Sequence, residues 1–290
     1  MKKFGFYVSL VGITVVSLMF LLDHIYSQIH LNGIARNKVQ NTLKLKNVHY
    51  ELAFFGSSRT ENHIDCELIT KVTGKSCINF GISGANLKDM LVIMKINKVR
   101  NVTYEKAFIQ VDYNYNYRGL SPYFKANIAP YLNSEIIDKD IFIDKKNIFI
   151  NYIPFYRYLK NDKIIGFRET FSISAGLKSN RNLSTGYFPK YGIGSKVAGV
   201  FPPSLNQNNF EITKMENLLT PSSIFYYMAP YCDKLKNREV ANNLKYRIKP
   251  FRNFSGIFDD KPEYFFNCGH LNHNGAQAFT LKIIEDYNLF

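Results

Sequence analysis

The sequence predicts an α/β protein: a three-layer α/β/α domain with an open, mostly parallel sheet, attached to one N-terminal membrane helix. Three observations predict it. After residue 47, short runs rich in Val, Ile, Phe and Tyr alternate with helical patterns. One stretch near the N-terminus is long, apolar and uncharged. The whole chain is 46% hydrophobic and 21% charged, the balance of a globular protein, which excludes disorder, collagen-like repeats and a cysteine-stapled mini-protein.

The N-terminus comes first. Met1-Lys2-Lys3 precedes Phe4 to Leu22, 19 residues without a charge. At about 1.5 Å per residue such a helix spans close to the ~30 Å hydrocarbon core of a bilayer. The positive residues before it and Asp23 after it favour a cytoplasmic tail at 1–3, an anchor at 4–22 and a body outside the cytoplasmic membrane. The alternative is a cleaved signal peptide, for which Ser27 is the only passable small residue and no Ala-x-Ala pattern exists. Residues 23–46 read as a helical or loose stalk leading to a domain at 47–290.

Within that domain, His49 to Phe55 is an apolar strand that stops at Gly56-Ser57-Ser58-Arg59. A helix follows with Ile64, Leu68 and Ile69 on one face, ending at Gly74. Ser76–Phe80 reads as a second strand, Leu87–Val99 as a helix, Ala107–Val111 as a third strand and Ser223–Tyr231 as a fourth. A charged helix is expected over about 233–248, a short fifth strand at Gly256–Phe258 and a last helix from near Gly275. Between about 115 and 216 the alternation breaks, and Ser179–Asn209 is polar and rich in Gly, Ser, Asn and Pro. Such a long excursion reads as a lid, a substrate-binding insertion or a flexible segment.

The formal net charge of +14 invites a nucleic-acid partner, but the Lys and Arg residues are scattered and no zinc-finger or RNP-like pattern occurs. A basic surface facing anionic polymers or lipid headgroups accounts for the charge without nucleic acid. Cys66, Cys77, Cys232 and Cys268 form no Cys-x-x-Cys pair, so no structural zinc site is expected. Bridges 66–77 and 232–268 on the one hand, and four thiols on the other, both suit the spacing.

Groups able to do chemistry sit where the strands end, the usual place in open α/β sheets. Ser58 follows the first strand and opens a helix, where backbone N–H groups favour an oxyanion. Gly84 follows the second strand and Asn114 the third, and both could offer N–H donors to the same point. His270, in Asn267-Cys268-Gly269-His270-Leu271-Asn272, precedes the last helix and could serve as a base. His273 lies three residues on, but without a third ligand at suitable spacing the pair makes no metal site.

In that order and at that spacing, Ser58, Gly84, Asn114 and His270 resemble the four blocks of the SGNH/GDSL hydrolases. The resemblance covers roughly 48–114 and 222–290. It implies a flavodoxin-like fold, with Ser58 as nucleophile, Ser57 standing where the family has Asp, and His270 as base. Ser58, Gly84 and Asn114 would form the oxyanion hole. The anchor makes the chain look most like the membrane-tethered branch that includes alginate O-acetylation and teichoic acid D-alanyl transfer proteins. That implies an esterase or O-acyltransferase acting on envelope polysaccharide or another acylated glycan, with a membrane acyl-donor protein as a possible partner and no cofactor. The position three before His270, normally Asp, is Asn267. Three outcomes stay open: Asn267 orients a Ser–His dyad, a carboxylate such as Asp259 or Asp260 reaches His270, or the module is catalytically degenerate and binds glycan or a partner protein.

Overall fold

The computed structural model describes residues 2–137, 148–179, 182–194, 198–219 and 223–290. In chain order the helices and strands are α1 (Lys2–Asn32), α2 (Lys38–Lys44), β1 (Val48–Phe55), α3 (Ser58–His63), α4 (Cys66–Thr73), β2 (Cys77–Asn79), α5 (Leu87–Val99), β3 (Val102–Gln110) and α6 (Pro122–Ile128). Then follow α7 (Ile148–Tyr152), α8 (Tyr156–Lys160), α9 (Asp162–Ile165), α10 (Phe167–Ser174), α11 (Phe210–Glu216) and β4 (Ile224–Met228). The chain closes with α12 (Arg238–Ala241), β5 (Phe251–Asn253), β6 (Phe265–Asn267), β7 (His270–Leu271) and α13 (His273–Asp286). Two compact units result: residues 1–40 with 122–179, and residues 41–121 with 180–290.

The larger unit is the α/β domain. Its five strands run parallel in the order β2-β1-β3-β4-β5, with Phe54 opposite Phe108 and Ile109 opposite Tyr226. That order is the flavodoxin-like doubly wound arrangement, whose working loops lie at the carboxyl ends of the strands. Side chains alternate across the sheet. Phe54, Phe108 and Phe225 stack on one face and meet Tyr287 just past α13, whose Phe279 lies beside Tyr227. Phe55 stacks on Phe80 on the other face, where Tyr226 donates to Glu216 of α11. Phe54 and Phe108 are wholly buried, and each such side chain contributes about 1.5–3 kcal/mol. The Cys66–Cys77 bridge ties α4 to β2, and Cys232–Cys268 ties the loop after β4 to the β6–β7 hairpin.

Several boundaries differ from those read in the sequence. The first helix is split into α3 and α4, because the Asp65 carboxylate caps a new start by accepting from Glu67 and Leu68 N–H. β3 begins at Val102, where Val102-Thr103-Tyr104 pairs with Val48-His49-Tyr50. The helix expected over 233–248 is only α12 and a 3₁₀ stretch at Asn242–Tyr246, since Lys236 bridges to Val200 and Asn237 takes a left-handed φ of 59°. The fifth strand is Phe251–Asn253 rather than Gly256–Phe258; it pairs with Tyr226–Met228, while Gly256–Phe258 is a turn.

The smaller unit changes the picture of the stalk and the insertion. α1 runs without a break to Asn32 and is long and apolar enough to cross a membrane. Its last turns pack against residues 122–179. Asp23 pairs with Arg157 at 2.6 Å, Ser27 Oγ meets the Tyr158 hydroxyl at 2.8 Å, and His30 Nε2 meets Thr170 Oγ1 at 3.1 Å. The segment 115–216 is therefore divided: residues 122–179 belong to this helical unit, and described residues from 182 onward belong to the α/β domain. Residues 138–147, 180–181, 195–197 and 220–222 lie outside the described residues, including parts of the expected polar excursion.

Candidate active site

Gly56 ends β1 because the backbone turns there against packed neighbours. A Cβ at 56 would lie 1.8 Å from Thr60 Oγ1 and 2.7 Å from Gln110 Oε1. The turn is held by Gln110, whose Oε1 accepts both the Ser57 N–H and the Ser57 hydroxyl at 2.8 Å. Ser57 Oγ in turn accepts the Arg59 N–H at 3.3 Å, capping α3. These bonds place Ser58, half-buried, at the first position of α3 at the carboxyl end of the sheet.

Ser58 Oγ lies 2.8 Å from His270 Nε2. His270 Nδ1 lies 3.0 Å from Asn267 Oδ1, and that same oxygen accepts the Gly269 N–H at 3.0 Å. A backbone N–H can only donate, so the Asn267 amide presents its oxygen to the ring, and Nδ1 carries the imidazole proton. Nε2 is left as an acceptor for the Ser58 hydroxyl, the arrangement of a base poised on a nucleophile. The His270 pKa is pushed down to about 4 by burial, with further lowering by the charges of Arg59 and Lys190. The ring is therefore neutral at pH 7. Neither Asp259 nor Asp260 is bonded to it: Asp259 pairs with Arg238 at 2.5 Å, and both carboxylates are exposed. The expectation that one of them reaches His270 is thus corrected, and Asn267 holds the ring.

Asn114 sits in a 3₁₀ turn, Tyr113–Asn116, just past β3. It is fully buried; its Oδ1 accepts the Asp112 N–H at 3.0 Å, and its Nδ2 has no hydrogen-bond partner among the described residues. An unpaired buried amide donor costs about 1–3 kcal/mol. Gly84 follows β2 with φ of +74°, and the space where a Cβ would stand is open. Its neighbour Ser83 hydrogen-bonds Glu61 of α3, which ties this loop to the helix that begins with Ser58. His273 is turned to a different partner, its Nδ1 lying 3.1 Å from the Tyr187 hydroxyl.

Residues that the sequence did not single out join these loops. Arg59, 2% exposed, donates from Nη1 to Asp112 at 2.5 Å, from Nε to Gly269 O at 3.1 Å, and from Nη2 to Ala229 O and Pro230 O. Its guanidinium also lies 3.4 Å from the centre of the Tyr231 ring. Asp112 is fully buried and takes further bonds from Gln110, Asn114 N–H and Tyr231. One ion pair thus links the turn of Ser58, the turn of Asn114 and the hairpin of His270. His63 lies at the other end of α3, and its Nε2 accepts the Leu271 N–H at 3.0 Å. Burial above all, with the Arg59, His270 and Lys190 charges, holds the His63 pKa well below the ordinary histidine value. Arg59 was detectable as a charge placed between an apolar strand and a buried helix, which demands a partner. His63 gave no signal.

The polar segment 182–194 lies along this site. Thr185 O accepts from Asn79 N–H, Phe188 N–H donates to Glu61 O, and Lys190 O accepts from His273 N–H. Those anchors carry Lys190 to the hairpin, over the Phe266 ring. A cleft of about 290 Å³ opens beside it, lined by Tyr191, Ile193, Glu263, Tyr264, His273 and Asn274.

No protein-family model matches the chain, and no curated protein does. A solved structure described as "a putative platelet activating factor from Streptococcus pneumonia" is similar at a TM-score of 0.41 and 13% identity. The match covers 97% of this chain and 99% of that one. A likeness at that level bears on neither activity nor substrate.

Proposed function

We propose that this chain is a membrane-anchored, extracytoplasmic serine esterase or O-acyltransferase of SGNH type, acting on acyl esters of envelope polysaccharide. The observation that carries the reading is the 2.8 Å contact of Ser58 Oγ with His270 Nε2, backed by Asn267. His270 takes the Ser58 proton as Oγ attacks the ester carbonyl. The oxyanion is met by the N–H groups of Ser58 and Gly84 and by Asn114 Nδ2. Collapse breaks the ester C–O bond, His270 returns the proton to the leaving alcohol, and an acyl-Ser58 remains. Water or a sugar hydroxyl then attacks and gives its proton to His270; the acyl–Oγ bond breaks, His270 passes the proton to Oγ, and the acid or new ester leaves. Two disulfides suit an oxidising compartment. Exposed Tyr191 beside Glu263, His273 and Asn274 combines the aromatic face and polar groups that a sugar ring requires.

A second reading, a glycan- or protein-binding module without catalysis, is favoured by Asn267 alone. A neutral amide does not stabilise the imidazolium as a carboxylate does, and replacing Asp by Asn in a serine protease triad costs ~10⁴ in turnover. Fluorophosphonate labelling of the full chain in detergent separates the two. Labelling abolished by both Ser58→Ala and His270→Ala supports the enzyme. A folded wild type that stays unlabelled supports the binding module.

A further inference from the structure

Among the described residues, the smaller unit carries large apolar side chains that stand exposed. Phe149 is 58% exposed, Tyr152 77%, Ile153 37% and Leu159 59%, within an eleven-residue stretch that forms α7, a turn and α8. Their position along α1 is closely defined. Asp23, the first charge after the apolar run, accepts the Phe155 N–H at 2.9 Å and pairs with buried Arg157 at 2.6 Å. Tyr26 packs edge-on against Phe155 and Tyr158, at 5.0 and 5.1 Å between ring centres. Phe155 adopts a left-handed φ of 63°, a costly conformation for a bulky residue that persists only where its surroundings impose it. The α7–α8 turn is thereby fixed beside residues 23–26 of α1, immediately past Leu22.

Aromatic and aliphatic side chains at the end of a membrane-crossing helix are suited to the boundary between headgroups and acyl chains. Lys160 and Lys163, basic and exposed, follow directly. α10 provides an internal contrast. It docks on α1 through His30 and Thr170, seven residues beyond Asp23 and so about 10 Å further along the helix. Its Phe167 and Phe171 are also exposed, on an element docked further along α1 from Leu22.

We propose that the α7–α8 turn, through Phe149, Tyr152, Ile153 and Leu159, is a membrane-interface foot seated in the headgroup–acyl boundary of the bilayer that α1 crosses. This rests on the reading of α1 as a membrane anchor and is independent of the chemistry at Ser58. The chain contains no Trp, so a single substitution introduces the only indole. The full chain is reconstituted in phosphatidylcholine–phosphatidylglycerol nanodiscs with and without lipids brominated near the carboxyl end of the acyl chain. Phe149→Trp and Tyr152→Trp are expected to lose about half their emission to the brominated lipid, as a side chain buried ~5–10 Å into the interface would. Val15→Trp, within α1, is expected to be quenched, and Phe171→Trp to be nearly unaffected. Quenching of Val15→Trp with Phe149→Trp and Tyr152→Trp no more quenched than Phe171→Trp overturns the foot and leaves the anchor. Quenching of all four alike also overturns the foot as delimited. Absence of quenching at Val15→Trp overturns anchor and foot together.

Discussion

The N–H of Leu271 donates to His63 Nε2 at 3.0 Å, so the residue after His270 is held by a ring on the helix that begins with Ser58. Arg59, four residues before His63 on that helix, holds the residue before His270 through Gly269 O at 3.1 Å. Side chains one turn apart share a helix face, and here the two grip the backbone on either side of His270. The Ser58–His270 distance is therefore set by α3 itself.

His63→Leu leaves the Leu271 N–H unpaired and should cost about 1–3 kcal/mol in urea unfolding. It should also slow fluorophosphonate labelling of Ser58 by roughly tenfold through misplacement of His270. His63→Gln, which can present an oxygen near the Nε2 position, should recover much of both.

Arg59→Met strands Asp112 in a site with no solvent access. Loss of one partner of such a pair costs about 3–5 kcal/mol. Adding Asp112→Asn to Arg59→Met should restore a substantial part of the thermal stability, and failure to do so would show that the carboxylate is not the strained group.

The His270 pKa of about 4 lies below the ordinary 6.5. Labelling should persist at pH 5 and be lost as pH falls through about 4, when Nε2 takes a proton. Between about 4 and 6.5 the unfolded chain binds the proton that the folded chain refuses, so this group's contribution to stability falls as pH drops through that window. Asn267→Asp should move the labelling midpoint upward, because a carboxylate favours the charged ring.

Asn114→Ala removes an amide donor that has no partner among the described residues. If that donor serves an oxyanion, turnover of an activated ester should fall by about 10²–10³ while labelling of the folded protein remains detectable. A variant with unchanged turnover would remove Asn114 from the oxyanion hole.

Cys232→Ala with Cys268→Ala opens a bridge spanning 36 residues, next to Asn267. Stability should fall by about 2–4 kcal/mol. Labelling should weaken as well, since Cys268 sits between the residue that orients the ring and the loop that accepts from Arg59.

Much of the α/β domain could be read directly, because its signals are local. Alternation of apolar strands and amphipathic helices specifies a doubly wound sheet, and Ser58, Asn114 and His270 were singled out because such a sheet delivers its strand ends to one edge. The apolar part of α1, residues 4–22, likewise follows from composition, but its unbroken continuation to Asn32 does not. What only the tertiary structure decided depends on groups distant in sequence. Arg59 and Asp112 are 53 residues apart, and although the position of Arg59 after an apolar strand calls for a partner, nothing local names Asp112 as that partner. His63 gains its role from a backbone N–H 208 residues away. Asp259 was a candidate by proximity in sequence, and Arg238 captures it instead. The division of 115–216 between the two units was equally hidden, because Asp23, Ser27 and His30 find Arg157, Tyr158 and Thr170 only once the chain has folded back on α1. Local periodicity encodes elements and their order; the pairing of buried charges is settled by desolvation, which acts only in the assembled fold.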